Sequence, residues 1–530
     1  MNPKLVRAAE WIAAILVTAA VLFLMLVRAT KAGPLWRDEA AAVQLAQFPT
    51  VGEIAASFQH EAFPLPFSLL LRGYISIFGQ SDASLRSFGF LVGLLLVGIS
   101  WFNSRILSSR GPILFLALFG LNVTFLTWGI SVRGYGPGCA LLLLTLGLTT
   151  KTILQPTRSN AIAATIASIG SVQFMLNAVP LIAAIAASIF AAFIFQRRTR
   201  EALIVAICAT ICALSLVPYA NSYLSADWNA VLKYPTTVLS LWGKCRLALE
   251  QPSIMAALFW YVAVPSVLIG AIGRCWLTRG DKSATDAPVL LFLILVGLLS
   301  VFAYLAFLKI LSYATRPWYF LPLLCVLAGV AELISATLSR FQSVIVGRLL
   351  FAIAALLLLP ASLWPSVRTR LTNIDVVAHR LETEAGPSDL IVLNPWHFGP
   401  SFHRYYHGST RWITIPTMSE HRIHRYDLMK SKMLEADPLA DARVAMRETL
   451  QSNHAVWIVG GARPRDPEMP QLGPAPNPYF GWAGYMSFWS MEIGSFLNEH
   501  VANGAVVLEP ALNTNDGENV PLLVAHGWRD

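Results

Sequence analysis

Charge is what this chain has least of. Asp, Glu, Lys and Arg together make up 13% of its 530 residues, against 55% hydrophobic residues, too little to solvate an ordinary soluble protein of this length. The apolar residues come instead in long runs, which predicts a polytopic α-helical membrane protein. Cysteine is missing altogether from residues 364–530; the six present (Cys139, Cys208, Cys212, Cys245, Cys275 and Cys325) lie in or between the hydrophobic runs. The C-terminal part therefore needs no disulfide, and Cys208 and Cys212, one helical turn apart in an apolar run, make poor metal ligands. Internal repeats of fixed period and low-complexity tracts are also missing. Net charge is +9, but the basic residues sit between apolar runs without interleaved aromatics. That pattern excludes a nucleic-acid partner and makes membrane lipid phosphates the expected anionic ones.

Crossing a ~30 Å hydrocarbon core takes about 20 apolar residues. Eleven runs qualify, near 11–28, 86–103, 112–128, 135–150, 160–177, 179–196, 201–219, 254–276, 287–308, 317–337 and 346–363. The first follows Lys4 and Arg7 and could pass for a signal peptide ending at Ala32, but its length favours a retained helix. A twelfth stretch, Phe63 to Gly79, decides the orientation of everything after it. Cytoplasmic loops collect Lys and Arg. If 63–79 lies at the surface and the N-terminus is inside, the inner loops hold Lys4, Arg7, Arg105, Arg110, Lys151, Arg158, Arg197, Arg198, Arg200, Arg274, Arg279, Lys282, Arg340 and Arg348. If it spans, everything from Arg105 onward faces outward. Pro64, Pro66 and Arg72 also suit an interfacial helix, so residues 29–85 read as one long outer loop.

The same parity puts the turn 129–135, the loop 220–253 (with Asp227, Trp228, Lys233, Tyr234, Lys244 and Arg246) and the stretch Lys309 to Trp318 on the outer side. The expected location is a bacterial inner membrane, N-terminus cytoplasmic and C-terminal part periplasmic. Composition changes at Trp364-Pro365, dividing a membrane domain, 1–363, from a tail, 364–530. In the tail an amphipathic helix is expected over 371–385, strands near 390–393, 412–415, 455–460, 505–508 and 521–525, and helices near 435–451 and 484–503. These elements make a small α/β domain with a Pro-rich loop from Arg463 to Tyr479.

Seven of the ten histidines fall between His379 and His454, yet none forms a closed ligand pattern. His403 and His407 are four apart without a carboxylate partner, and packed or solvated roles fit them better than a metal site. More informative is Asp38-Glu39, an acidic pair just past the first hydrophobic run, where ionised groups at lipid depth are costly. His60 lies on the same outer loop. Arg86, Arg133 and Arg316 each stand at the outer mouth of an expected span, where a guanidinium either snorkels or grips phosphate oxygens bidentately.

These residues carry a family likeness. Trp36-Arg37-Asp38-Glu39-Ala40, then His60-Glu61-Ala62-Phe63-Pro64-Leu65-Pro66, then Ser84-Leu85-Arg86 appear in an order that resembles the C-type (GT-C) membrane glycosyltransferases. The resemblance is to the branch of protein O-mannosyltransferases and bacterial aminoarabinose and galacturonic-acid transferases. Arg133-Gly134-Tyr135 and Arg316-Pro317-Trp318-Tyr319-Phe320-Leu321-Pro322 extend it, so that it covers the layout of residues 1–340. Two features depart from the pattern: the prolines of the interfacial helix are split as Pro64-Leu65-Pro66, and the 129–135 turn lacks the second carboxylate found in some members.

The resemblance implies an inverting transfer of a monosaccharide from a polyprenyl-phosphate donor to a hydroxyl of a lipid (lipid A or lipopolysaccharide), glycan or protein acceptor. Asp38 is the expected general base, with Glu39 orienting acceptor or loop. Arg86, Arg133 and Arg316 are expected on the departing phosphate, with Tyr135 and His60 as hydrogen-bond donors. No cofactor is required, and the departure at 129–135 gives no support to a divalent metal. Two other readings use the same outer mouths. A transporter or flippase of a lipid-linked sugar wants mid-bilayer ionisable residues and repeated, interrupted helices. An oligosaccharide ligase wants larger outer loops.

Overall fold

The computed structural model describes residues 3–61, 63–107, 110–220, 236–278, 286–312, 315–469, 471–477, 480–509 and 518–529. Asp227, Trp228, Lys233 and Tyr234 of the 220–253 loop lie outside the described residues, as do Arg279 and Lys282. The principal helices of the membrane body are α1 (Pro3–Lys31), α2 (Arg37–Ala46), α3 (Leu65–Phe78), α4 (Asp82–Leu107), α5 (Tyr135–Leu154), α6 (Arg158–Phe174) and α7 (Val179–Phe195). They continue as α8 (Thr199–Leu214), α9 (Val238–Glu250), α10 (Ile254–Leu277), α11 (Ala287–Leu311), α12 (Leu321–Leu338) and α13 (Gln342–Arg368). Among the described residues, nine helices are long and apolar enough to cross a bilayer. α3 is a short apolar helix of 14 residues that starts at the Pro64-Leu65-Pro66 stretch.

Two of the eleven expected spans take other forms. The run 160–177 is the 17-residue α6, packed on α5. The run 112–128 is not one helix: a turn of α-helix (Ile113–Phe115) passes into π-helical turns at Leu116–Gly120 and Phe125–Gly129. Irregular backbone at membrane depth is tolerated only where protein satisfies it, and this segment is buried and satisfied at both ends. Glu332 of α12 accepts the Leu114 and Phe115 N–H groups at 2.7 and 3.2 Å. Asn122 Oδ1 accepts the Thr124 N–H at 2.8 Å, while Asn122 Nδ2 and Thr124 Oγ1 donate to the Ala248 carbonyl of α9.

At the end of the bundle where α4 finishes and α13 begins, Glu10, Arg110, Glu332 and Arg348 form a buried network. Arg348 bridges Glu332 at 2.9 Å and Glu10 at 3.3 Å, and Glu10 also pairs with Arg110. Close by in sequence, Asp286 is shared by Arg274 and Arg340. Four of the basic residues expected in the inner loops, Arg110, Arg274, Arg340 and Arg348, thus enter these networks, and α1, α12, α13 and the broken segment are joined through Arg348.

α13 runs through Pro360 and Pro365 to Arg368, past the composition change at Trp364-Pro365. Beyond it, β1 (Leu390–Asn394), β2 (Arg411–Thr414), β3 (Val456–Gly460), β4 (Val501–Leu508) and β5 (Leu522–Trp528) form one sheet in the order β2-β1-β3-β5-β4. β1 pairs in parallel with β2 and β3, and β5 is antiparallel to β3 and β4. Helices α14 (Ile374–Glu384), α15 (Gly399–Tyr405), α16 (Tyr426–Leu434), α17 (Ala440–Gln451) and α18 (Trp482–His500) accompany it. β1 and β3 are buried at every position, as central parallel strands should be. Two apolar cores result. Val392, Ile458, Met446 and Ile493 belong to one, and Ile391, Val459, Phe402 and Ile374 to the other.

Removing one member of a buried ion network strands its partners, at a cost of about 3–5 kcal/mol. Arg348→Ala should therefore shorten the thermal-inactivation half-life of the solubilised protein markedly. Adding Glu10→Gln and Glu332→Gln to the same chain should restore much of it.

Candidate functional site

The site is built on the turn from α1 into α2. Gly33, at φ +72°, takes the left-handed conformation that turns the chain. Two residues on, the Leu35 N–H donates to Tyr405 Oη of the tail at 2.6 Å. Trp36 is the N-cap of α2, and Glu39, at the third helical position, reaches back to accept the Trp36 N–H at 3.3 Å, one half of a capping box. The other Glu39 oxygen accepts from Arg86 Nη1 at 2.7 Å and from the Val132 N–H at 2.9 Å. Glu39 is 0% exposed. Arg86 spends its remaining groups on the same turn, donating from Nε to the Gly33 carbonyl at 3.2 Å and from Nη2 to the Pro34 carbonyl at 2.7 Å. Where the sequence suggests a phosphate for Arg86, the structure gives it Glu39 and two loop carbonyls.

Asp38, one position earlier, points elsewhere. Its side chain is 23% exposed, with Arg37 Nε 3.3 Å from Oδ1, Arg133 Nη2 3.8 Å from Oδ2 and His424 Nε2 3.9 Å from Oδ1. Arg133 also donates from Nη1 to the Asp38 main-chain carbonyl at 2.7 Å. Burial pushes the Asp38 carboxyl up, but the neighbouring Arg133, Arg37 and His424 charges outweigh it and hold the group below the usual carboxylate value. The Arg133 guanidinium lies over the Phe63 ring, 4.7 Å from its centre, and Tyr135 meets the same ring edge-on at 5.1 Å. Gly134 between them is obligatory: a Cβ there would stand 2.3 Å from Phe63 and 2.6 Å from the Phe174 carbonyl. Arg133, Tyr135 and Asp38 therefore share one wall.

Of the other residues singled out in the sequence, His60 lies with its Nδ1 3.6 Å from Asp427 on the first turn of α16, three residues after His424. It faces the tail segment that delivers His424. Arg316, exposed, precedes the 3₁₀ turn Pro317–Phe320. Arg37, Arg316 and His424 all act on half-buried His397, whose proton affinity desolvation first, and then those charges, push well below the usual histidine range. Among the described residues no group of three or more His, Cys, Asp or Glu side chains is placed to hold a metal ion.

Three contributions escape a reading of the sequence. Trp36, Trp128 and Trp318, from three separate segments, pack mutually at centroid distances of 4.9, 5.8 and 4.4 Å, an apolar floor behind the acidic turn. His424 is one of nine tail histidines with no local pattern to single it out. The tail also clamps the outer loop directly. Gln44 of α2 donates to the Pro400 carbonyl at 2.9 Å, while Arg404 and Tyr405 hold Asp82 at 2.9 and 2.8 Å.

Glu518 closes the arrangement. Buried where residues 371–373 meet the tail, it accepts the Ser401 hydroxyl at 2.7 Å. Burial lifts its carboxyl from 4.5 to about 7, against the pull of Arg37, Ser401 and Thr372 and with a small push from Asp38. Below the unfolded value of 4.5 both states hold the proton. Between 4.5 and about 7 only the folded state does, so stability falls as pH rises across that window, by on the order of 3 kcal/mol at 1.36 kcal/mol per unit. The protein should therefore melt higher at pH 5 than at pH 8, and Glu518→Gln should shrink that difference.

No family model matches the chain, and no curated protein matches it in sequence. Among solved structures, it is similar to ArnT from Cupriavidus metallidurans bound to undecaprenyl phosphate, with a TM-score of 0.50 and 11% identity over 96% of this chain and 97% of that one. An Archaeoglobus fulgidus oligosaccharyltransferase tethered to an acceptor peptide matches at a TM-score of 0.46 and 10% identity, over 84% of this chain and 69% of that one. With its apolar helices and a likeness that runs nearly end to end, the chain is an integral membrane protein of the C-type glycosyltransferase (GT-C) fold.

Proposed function

We propose that this protein is an inverting glycosyltransferase that moves a monosaccharide from a polyprenyl-phosphate donor to an acceptor hydroxyl at the outer face of the membrane. The observation that carries the reading is the division of labour in the acidic pair: Glu39 is sealed and bound, while Asp38 stays ionised and accessible between guanidinium groups. An undecaprenyl phosphate bound to the similar ArnT supports a donor of that class. The acceptor is a lipid, glycan or protein hydroxyl. The basic network at the opposite end supports a cytoplasmic N-terminus and a periplasmic tail, as in a bacterial inner membrane.

In the proposed reaction the acceptor oxygen attacks the anomeric carbon while the bond from that carbon to the phosphate oxygen breaks, its electron pair leaving with the lipid phosphate. Asp38 takes the hydroxyl proton. A carboxylate held below its usual pKa is a weak base for a ground-state alcohol. It suffices once the attacking oxygen has begun to bond and its proton has become acidic, which ties the transfer to the transition state. Arg133 and Arg316 are the groups assigned to the departing phosphate, whose charge grows as the bond breaks. Tyr135 stands beside Arg133 as a hydroxyl donor, and Glu39 and Arg86 act at one remove by fixing the turn. Guanidinium groups supply the positive charge, so the scheme calls for no divalent metal.

In membranes supplied with polyprenyl-phosphate mannose or aminoarabinose and an envelope acceptor, Asp38→Asn should lower transfer by about 10²–10⁴ and leave thermal inactivation unchanged. Glu39→Gln should lower transfer and accelerate inactivation together. Wild-type transfer by Asp38→Asn would overturn the assignment.

A further inference from the structure

A second cavity, of about 710 Å³, lies among α5, α6, α7 and α8. It is remote from the acidic turn: its α5 lining begins at Thr149, fourteen residues from Tyr135, about 20 Å along the helix axis. Its walls are apolar, with Ile185, Ile189, Ile204 and Ile207 among them, and they extend along α8 from Arg200 to Cys212, about 18 Å. One leaflet of a ~30 Å hydrocarbon core is about 15 Å deep, so the cavity is one leaflet long.

Its charged groups, Arg158, Arg200 and Glu201, gather at one end. Thr152, Thr157, Arg158 and Arg200 form that mouth, and α6 and α8 both begin there, at Arg158 and Thr199, with the positive ends of their helix dipoles. Glu201, a carboxylate in the lining, is bridged to Arg198 at 2.6 Å. Among the described residues neither Arg158 nor Arg200 lies within 4 Å of a carboxylate, although Arg200 acts on Glu201 from further off, and both are exposed.

We propose that this cavity is a binding site for an anionic glycerophospholipid of the leaflet at the Arg158 end, one acyl chain between α6 and α8 and the phosphate on Arg158 and Arg200. A polyprenyl phosphate seated there would hold its phosphate about 20 Å from the acidic turn, too far to be the donor. The site is independent of the transfer reaction.

The full-length protein, equilibrated in micelles with equal amounts of phosphatidylglycerol and phosphatidylcholine, would be examined for retained lipid by native mass spectrometry. Phosphatidylglycerol should be retained about 10-fold over phosphatidylcholine, equivalent to 1.4 kcal/mol. Arg158→Gln with Arg200→Gln should abolish the preference. Ala186→Phe with Ala209→Phe, which fills the cavity and keeps both arginines, should abolish retention, separating insertion from adsorption to a basic surface. Equal retention of the two lipids by the wild type overturns the proposal, whatever the variants do. So does undiminished retention by the filled variant, or displacement of phosphatidylglycerol by equimolar undecaprenyl phosphate.

Discussion

Everything at the acidic turn depends on one buried ion pair, Glu39 with Arg86. A carboxylate and a guanidinium withdrawn from water lose solvation worth several kcal/mol each, and their attraction offsets that loss only when the remaining donors and acceptors are also matched. Here they are: Glu39 takes two backbone N–H groups besides Arg86, and Arg86 takes two backbone carbonyls besides Glu39. The pair joins α4, the turn at Gly33–Trp36, the start of α2 and the 129–135 turn. Adjacent residues on an α-helix lie 100° apart. Burying Glu39 against the membrane body therefore swings Asp38 round toward the tail, and adjacency in sequence is what makes the two acids unlike.

The tail completes the geometry and cannot be treated as an appended module. Tyr405 fixes the backbone of the acidic turn, Gln44 ties α2 to α15, and His424 lies within 4 Å of Asp38. His60 on the outer loop answers Asp427 a few residues further along the same tail segment. A membrane body without these contacts would keep its Glu39–Arg86 pair but lose the His424 imidazole that lies beside Asp38. Residues 364–530 thus reach Asp38 both directly, through His424, and through the loop they brace.

Where the physics is local, the sequence was informative. Long apolar runs marked the membrane helices, prolines and Arg72 set α3 apart, and period-two and fully apolar runs marked β1 to β5. The broken segment at 113–129 was not legible, because an apolar run buried on all sides looks the same whether its backbone bonds to itself or to Glu332 and Ala248. Arg86 shows the same limit from the other side. A guanidinium at a helix mouth is equally suited to a phosphate and to loop carbonyls, and only the folded turn shows which acceptors it meets. The tryptophan floor and His424 belong to contacts made across hundreds of residues, for which no spacing rule exists.

The two ends of the membrane body differ in how charge is balanced, and this difference gives the mouth at the acidic turn its chemical character. At the far end, Glu10 and Glu332 answer Arg110 and Arg348, and Asp286 answers Arg274 and Arg340, so much of the charge is neutralised within the protein. At the acidic turn, Arg37, Arg133 and His424 gather around Asp38, since Glu39 is committed to Arg86, and Arg316 acts on His397 beside them. The excess is visible in its effect on neighbours: His397 is driven away from protonation by three of those groups, and Asp38 is kept ionised despite burial. A low-dielectric mouth holding surplus positive charge over an apolar floor is unfavourable when empty and is relieved by an anion carrying an apolar chain. The lipid-linked phosphate proposed as donor has both properties, and in the proposed reaction its charge would rise on bond cleavage and be stabilised further by the same surplus.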